Sequence, residues 1–269
     1  YDAEETRRQI SISTSVAPLE YKGCKINILD TPGSFDFSGE VLEALQVSDA
    51  AIIVCSAKDG ISVGFEKVWK YCQERDMPRF IYISKIDEDH SDYNATFDAL
   101  RERFGNKIAP IVVPIWDDNK KVTGIIDVLN KRAYELQDYK RVEVDIPADK
   151  VDVVSEFNEA LKESVAETSE EFMDRYFGGE EFSEDEIRQA LRVNVAEGSI
   201  VPVLMGSNIL ARGIYTLLVD IVKYLPSPEK RTCTGINAKT NEVYNADYDF
   251  AKAKSAYIWK TIADPFIGK

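Results

Sequence analysis

The strongest constraint on this chain is its rhythm. Three short apolar runs, Ala50-Ala51-Ile52-Ile53-Val54-Cys55, Arg79-Phe80-Ile81-Tyr82-Ile83 and Ile200-Val201-Pro202-Val203-Leu204-Met205, read as strands, the first two of them buried. The first is continuous enough to be covered on both faces. Helical patterns separate them. Ser38 to Val47 carries Val41, Leu42 and Leu45 on one face, and Val63 to Glu74 carries Phe65, Val68, Trp69 and Cys72. Ser91 to Phe104 repeats Tyr93, Phe97, Leu100 and Phe104 at helical spacing. A β-α-β-α order of this kind closes as an open parallel sheet covered by helices. Ahead of it, Ser13 to Glu20 and Lys25 to Leu29 read as two strands joined at Tyr21-Lys22-Gly23, a hairpin.

The rhythm breaks after Phe104. Ile108 to Ile115 is apolar, Trp116 to Gly124 is a polar turn, and Ile125 to Glu135 begins an insert. Three helices are predicted inside it. Residues 151–166 turn Val153, Val154, Phe157, Leu161 and Val165 inward, and Ser169 to Phe177 stops at Gly178-Gly179. The third opens with Ser183 and Glu186 as a capping box and carries Ile187, Ala190, Leu191 and Val193. The first rhythm then returns with the strand at 200–205 and a helix from Gly213 to Leu225. Residues 229–250 read as a linker, and Ala251 to Ile262 as the start of a further β-rich unit.

Composition excludes several functions. His90 is the single histidine and sits in a polar stretch, so a histidine-dependent triad or a zinc site has no basis. Cys24, Cys55, Cys72 and Cys233 fit no zinc spacing and read as reduced thiols of a cytoplasmic protein. No apolar run approaches the ~20 residues of a membrane span, and the N-terminus is polar, unlike a signal peptide. The net charge of −14 opposes a broad or sequence-specific nucleic-acid surface. Residues 141–200 hold 17 acidic and 6 basic side chains, so most of that charge is concentrated there. This is either a solvated helical face or a docking surface.

Three loops carry the candidate chemistry. Asp30-Thr31-Pro32-Gly33 ends the run Lys25 to Leu29, where an aspartate can hold magnesium through water and a glycine N–H can reach a phosphate. Ser84-Lys85-Ile86-Asp87 follows the strand ending at Ile83. An aspartate there can accept both guanine N–H donors, and the lysine stem can lie along the base. Gly206-Ser207-Asn208 follows the strand ending at Met205. The reading places all three loops beyond parallel strands, at the carboxyl ends where open α/β sheets bind ligands.

With these loops in this order the chain resembles the translational GTPases, most closely elongation factor G, over nearly its whole length. Arg8-Gln9-Ile10-Ser11-Ile12 is similar to the end of switch I, and Ile28 to Phe37 to switch II. Ser84 to Asp87 stands where the family has Asn-Lys-x-Asp. Gly124-Ile125-Ile126-Asp127 and Arg132-Ala133-Tyr134 resemble the G′ insert. Tyr224 to Pro228 and Ala263 to Lys269 resemble the exit from the G domain and the start of domain II.

The resemblance implies an α/β, P-loop GTPase-type sheet, mainly parallel with helices on both faces, plus an α+β G′ insert and the start of a β-barrel domain. The implied domains are 1–112 and 200–228 for the G domain, 113–199 for the insert, and 229–269 for linker and domain II. It implies GTP or GDP and Mg as ligands. Asp30 and Ser11 would serve the metal and Gly33 the γ-phosphate. Thr31, Pro32 and Ser34 would complete the phosphate loop, and Ser84, Lys85, Ile86, Asp87, Ser207 and Asn208 would surround guanine. The implied partner is the ribosome, its stalk protein meeting the acidic insert.

The sequence departs from the family pattern in four respects. The phosphate-binding loop Gly-x-x-x-x-Gly-Lys-[Ser/Thr] and the strand before it are absent, so the chain is expected to be a piece of a longer protein. A sheet lacking that central strand could pair with a neighbouring chain. Ser34 replaces the family's histidine, which implies slow or absent stimulated hydrolysis. Ser11 replaces threonine and keeps the hydroxyl. Gln9 replaces glycine, and Ser84 replaces asparagine with a shorter reach. Two readings stay open: a translocation-type GTPase, or a hydrolysis-impaired GTP-dependent ribosome-binding or ribosome-protection paralogue.

Overall fold

In a computed structural model the chain is described at residues 3–117, 122–137, 140–231, 233–249, 251 and 254–262. It divides into two compact units, one formed by residues 1–49 and 226–269, the other by 50–225.

The first unit opens with α1 (Ala3–Arg8), followed by strands β1 (Ser15–Tyr21) and β2 (Cys24–Asp30). These pair antiparallel with Tyr21 opposite Cys24 and Ser15 opposite Asp30. Lys22 and Gly23 both have positive φ, at 48° and 75°, the type I′ pattern whose twist suits a two-residue hairpin loop. Helix α2 (Ser38–Val47) follows a single 3₁₀ turn at Phe35–Phe37.

The second unit is built on a parallel sheet. Strand β3 (Ala51–Ser56) leads through α3 (Val63–Gln73) to β4 (Arg79–Ser84), then α4 (Tyr93–Phe104) and β5 (Ile108–Pro110). An antiparallel four-stranded sheet follows, of β6 (Val112–Trp116), β7 (Val122–Asp127), β8 (Arg132–Gln137) and β9 (Lys140–Val144). Then come α5 (Val151–Ala166), α6 (Glu170–Phe177) and α7 (Glu184–Ala196). Strand β10 (Val201–Met205) returns to the parallel sheet between β4 and β5, giving the order β3-β4-β10-β5, and α8 (Ile214–Tyr224) closes the unit. In the first unit, β11 (Cys233–Ile236) and β12 (Val243–Ala246) form a second hairpin.

The packing follows the side-chain periods. Every residue of β4 and β10 is buried, as expected of the two central strands. The α3 and α4 stripes meet where Trp69 lies 4.2 Å from Phe104, ring centre to ring centre. Tyr93 and Phe97 of α4 pack on Phe157 of α5, and the Tyr93 hydroxyl donates to the Val112 carbonyl at 2.8 Å. These contacts join the helices of the parallel sheet to the antiparallel sheet, whose core contains Ile115, Ile126, Ala133 and Val154. Gly124 is required there, because a Cβ would meet the Tyr134 carbonyl oxygen at 2.4 Å.

Several expectations change. Among the described residues strand β3 is an edge, with Ile52 and Val54 exposed at 37% and 60%, so it is not covered on both faces. Among the described residues β2 bonds only to β1, so the Asp30 loop follows a hairpin strand and not a member of the parallel sheet. The apolar stretch 108–115 is two strands in two sheets, the chain changing partner at Ile111. On α7 the buried valine is Val195 and Val193 is exposed, because four residues after Leu191 return to the same helix face and two do not. The linker contains β11 and β12, whereas residues 254–262 form no strand. The stretch 263–269 lies outside the described residues.

Candidate functional site

Two of the three candidate loops lie side by side. Strands β4 and β10 are hydrogen-bonded neighbours with Ile83 opposite Met205, so Ser84–Asp87 and Gly206–Asn208 leave the sheet at the same carboxyl end. The Gly206 N–H donates to the Ile83 carbonyl at 2.9 Å and carries the pairing into both loops.

The Ser84 loop is held from below. Ser84 is buried; its hydroxyl donates to the Cys55 carbonyl at 3.1 Å, and its own carbonyl accepts from the Ala57 N–H at 2.9 Å. Lys85 then takes φ +59°, a left-handed conformation that L residues adopt at a cost and that gathers at ligand sites. This turn buries Ile86 and leaves Lys85 exposed and Asp87 partly exposed. The Ile86 carbonyl accepts from the Ser91 hydroxyl at 3.1 Å. Lys85 Nζ stands 3.8 Å from Asp59 and 3.9 Å from Glu88. Asp87 makes no ion pair among the described residues, so its carboxylate is available to accept hydrogen bonds.

The Gly206 loop is stitched by Ser207 and Arg212, whose backbone groups exchange bonds at 3.0 and 3.1 Å. Ser207 is fully buried, and its hydroxyl accepts from the Leu210 N–H at 3.1 Å. Asn208 is exposed. Gly206 has no room for a side chain: a Cβ would sit 1.9 Å from the Tyr82 hydroxyl and 2.4 Å from the Arg212 carbonyl oxygen. Gly213, at φ +82°, closes the turn equally tightly, a Cβ there meeting the Met205 carbonyl oxygen at 2.1 Å. Tyr82, buried on β4, supports this loop with a hydroxyl that has no hydrogen-bond partner among the described residues. Burial pushes that phenol up to about 12.

The third loop belongs to the first unit. Asp30 ends β2, exposed, opposite Ser15. Thr31 is partly exposed, Pro32 buried, Gly33 exposed and Ser34 partly exposed. A Cβ on Gly33 would meet nothing within 4 Å, so its backbone is open to approach. Ser34 precedes the 35–37 turn, where its carbonyl accepts from the Phe37 N–H at 3.1 Å and its hydroxyl does not cap. Ser11, half-buried, precedes β1 and so lies in sequence toward the end of the hairpin that carries Asp30. A hydroxyl and a carboxylate are hard oxygen donors of the kind magnesium takes together with waters. Among the described residues no group of three or more His, Cys, Asp or Glu could form an all-protein metal cage.

Sequence reading missed Tyr82 as a support, and it missed Glu5, Glu40 and Lys260, which hold residues 12–14. Gly206 stood in a recognised loop, but no local pattern joins Glu40 to a lysine 220 residues away.

The family model for the elongation factor Tu GTP binding domain matches residues 1–227. The crystal structure of ttk003000868 from Thermus thermophilus is similar at 33% identity and a TM-score of 0.79, covering 86% of this chain. This chain spans about a third (34%) of that protein's length. No helix among the described residues is long and apolar enough to cross a membrane. The chain thus belongs to the elongation factor Tu GTP-binding domain family, as a translational GTPase G domain of the elongation factor G type.

Proposed function

We propose that this chain supplies the guanine-recognition and switch parts of a cytoplasmic, elongation factor G-like GTPase that acts on the ribosome. The observation that carries the reading is the pairing of β4 with β10, which sets the Ser84–Asp87 and Gly206–Asn208 loops together at one sheet end. In this reading Asp87 accepts the two guanine N–H donors and Lys85 lies along the base. Ser84 and Ile86 brace the turn, and the backbone at Ser207 and Asn208 meets the base edge. Asp30, through water, and Ser11 hold magnesium, which when bound neutralises charge on the transferring phosphate. The Gly33 N–H donates to the γ-phosphate, with Thr31 and Pro32 fixing that turn. Residues 113–199 form the G′ insert, and its acidic helices are the surface for the ribosomal stalk protein.

Ser34 favours a second reading. Its hydroxyl is short and uncharged and cannot donate as an imidazolium would, so a hydrolysis-impaired GTP switch or ribosome-protection role fits that position better than rapid turnover. The test is GTP turnover, with and without ribosomes, by this chain joined at its N-terminus to a phosphate-binding loop. A Ser34→His variant is expected to raise ribosome-stimulated turnover by about 10²-fold or more, the usual range of a positioned acid–base group. Equal stimulated rates in parent and variant would sink the impaired-switch reading. Absence of guanine-nucleotide binding by both would sink the GTPase reading.

A further inference from the structure

Among the described residues, 12–14 have no sheet partner, yet all three backbone N–H groups are held. Those of Ile12 and Ser13 donate to Glu5 Oε1 at 2.8 and 3.1 Å, and that of Thr14 donates to Glu40 Oε2 at 2.6 Å. The Thr14 hydroxyl donates to the Glu40 carbonyl at 3.2 Å. Glu5 and Thr14 are both buried. The segment's shape is therefore set by two carboxylates from different helices, α1 and α2.

Lys260 completes the arrangement from the far end of the chain. Its ammonium has three N–H donors and uses all of them: Ser13 Oγ at 3.0 Å, the Thr14 carbonyl at 3.0 Å and Glu40 Oε2 at 2.6 Å. The lysine side chain is 12% exposed, unusual for a lysine that serves only solubility. Burial pushes the Glu40 carboxyl up, but the bonds from Lys260 and Thr14 outweigh it and hold the group below its ordinary value. A charged network at this burial is stable when every member is satisfied and costly when one is removed.

We propose that Lys260 and Glu40 are positioning residues that set residues 11–14 in the arrangement the GTP state requires, coupling the segment around 254–262 to both switch segments. The proposal rests on the GTPase reading above. Glu40 lies in the first turn of α2, which follows the Asp30–Ser34 loop through one 3₁₀ turn. A shift of that loop moves Glu40, and with it the anchor of Thr14. Ser11, the proposed metal ligand, stands one residue before the held segment. Lys260 touches no proposed ligand atom; it acts by fixing Glu40, Ser13 and Thr14 against one another. Movement of the 254–262 segment would draw Lys260 out and free the switch, so that part of the chain can bias nucleotide state.

The test compares Lys260→Met, Lys260→Arg and the milder Glu40→Gln by amide exchange at residues 12–14 in this chain. Met should speed exchange there about tenfold, the effect of losing a charge-assisted hydrogen-bond set, and Arg should restore part of it. Unchanged exchange in both Lys260→Met and Glu40→Gln would overturn the latch. The second readout uses the protein extended with a phosphate-binding loop, titrated with GTP and GDP in Mg²⁺. Lys260→Met should lower the GTP-to-GDP affinity ratio about tenfold while GDP affinity holds. Faster exchange with an unchanged ratio would reduce the pair to a structural clip and overturn the positioning role. If the extended parent binds neither nucleotide, the GTPase reading falls and the positioning role with it, while the exchange data still report the latch. Should Lys260→Met fail to fold, Glu40→Gln keeps an acceptor for the Thr14 N–H and carries both readouts.

Discussion

Gly206→Ala should disrupt the Gly206–Asn208 loop by steric conflict alone. The added methyl would sit 1.9 Å from the Tyr82 hydroxyl, 2.9 Å from its Cζ and 2.4 Å from the Arg212 carbonyl oxygen, where ordinary contact begins near 3.4 Å. Tyr82 is buried on a central strand, so its ring cannot swing into solvent. The Arg212 carbonyl is tied to the Ser207 N–H. Overpacking of this kind costs about 1–3 kcal/mol, and a clash against backbone lies at the upper end. Tyr82→Phe removes the closest atom. Because that hydroxyl has no described partner, its loss alone should be neutral or stabilising by up to about 1 kcal/mol. In the Gly206→Ala background it should recover part of the loss, with the Arg212 conflict remaining. Urea unfolding followed by circular dichroism on the four proteins of this cycle gives the coupling directly. A Tyr82→Phe loss above about 1 kcal/mol would show that the hydroxyl is bonded and refute the argument; so would a Gly206→Ala protein as stable as the parent.

Two further expectations follow from burial and charge. Cys24 and Cys233 are exposed, whereas Cys55 and Cys72 are buried and burial pushes each thiol up to about 11. Brief alkylation at neutral pH should label the first pair alone, by peptide mass, and urea should release the second; early labelling of Cys72 would contradict the packing around Trp69. The bond from Arg175, then those from the Ser183 backbone and hydroxyl, hold Glu186 at about 2, well below the usual carboxylate range. A depressed folded value means that its contribution is complete above the unfolded value near pH 4.5 and is lost as pH falls toward 2. The stability difference between parent and Glu186→Gln should therefore be widest at neutral pH and close across that window; a constant difference would remove the charge from the explanation.

Much of this protein was legible locally because the relevant physics is local. The capping box at Ser183 and Glu186, the hairpin turn at Lys22-Gly23 and the helix stripes all depend on residues a few positions apart. The loops at 30–34, 84–87 and 206–208 were visible as breaks after apolar runs. Partner choice was not legible, because strand pairing is decided by what lies alongside. Sequence could not tell that, among the described residues, β3 is an edge and β2 bonds only to β1, or that 108–115 divides between two sheets. Nor could it reveal Tyr82 beneath Gly206, or Lys260 closing on Glu40 and Thr14. The residue types and their periods determined the α/β class and marked the candidate loops. Tertiary structure alone decided which loops share a sheet end and which distant charges hold residues 12–14, because such contacts form only when residues far apart in the chain are brought together.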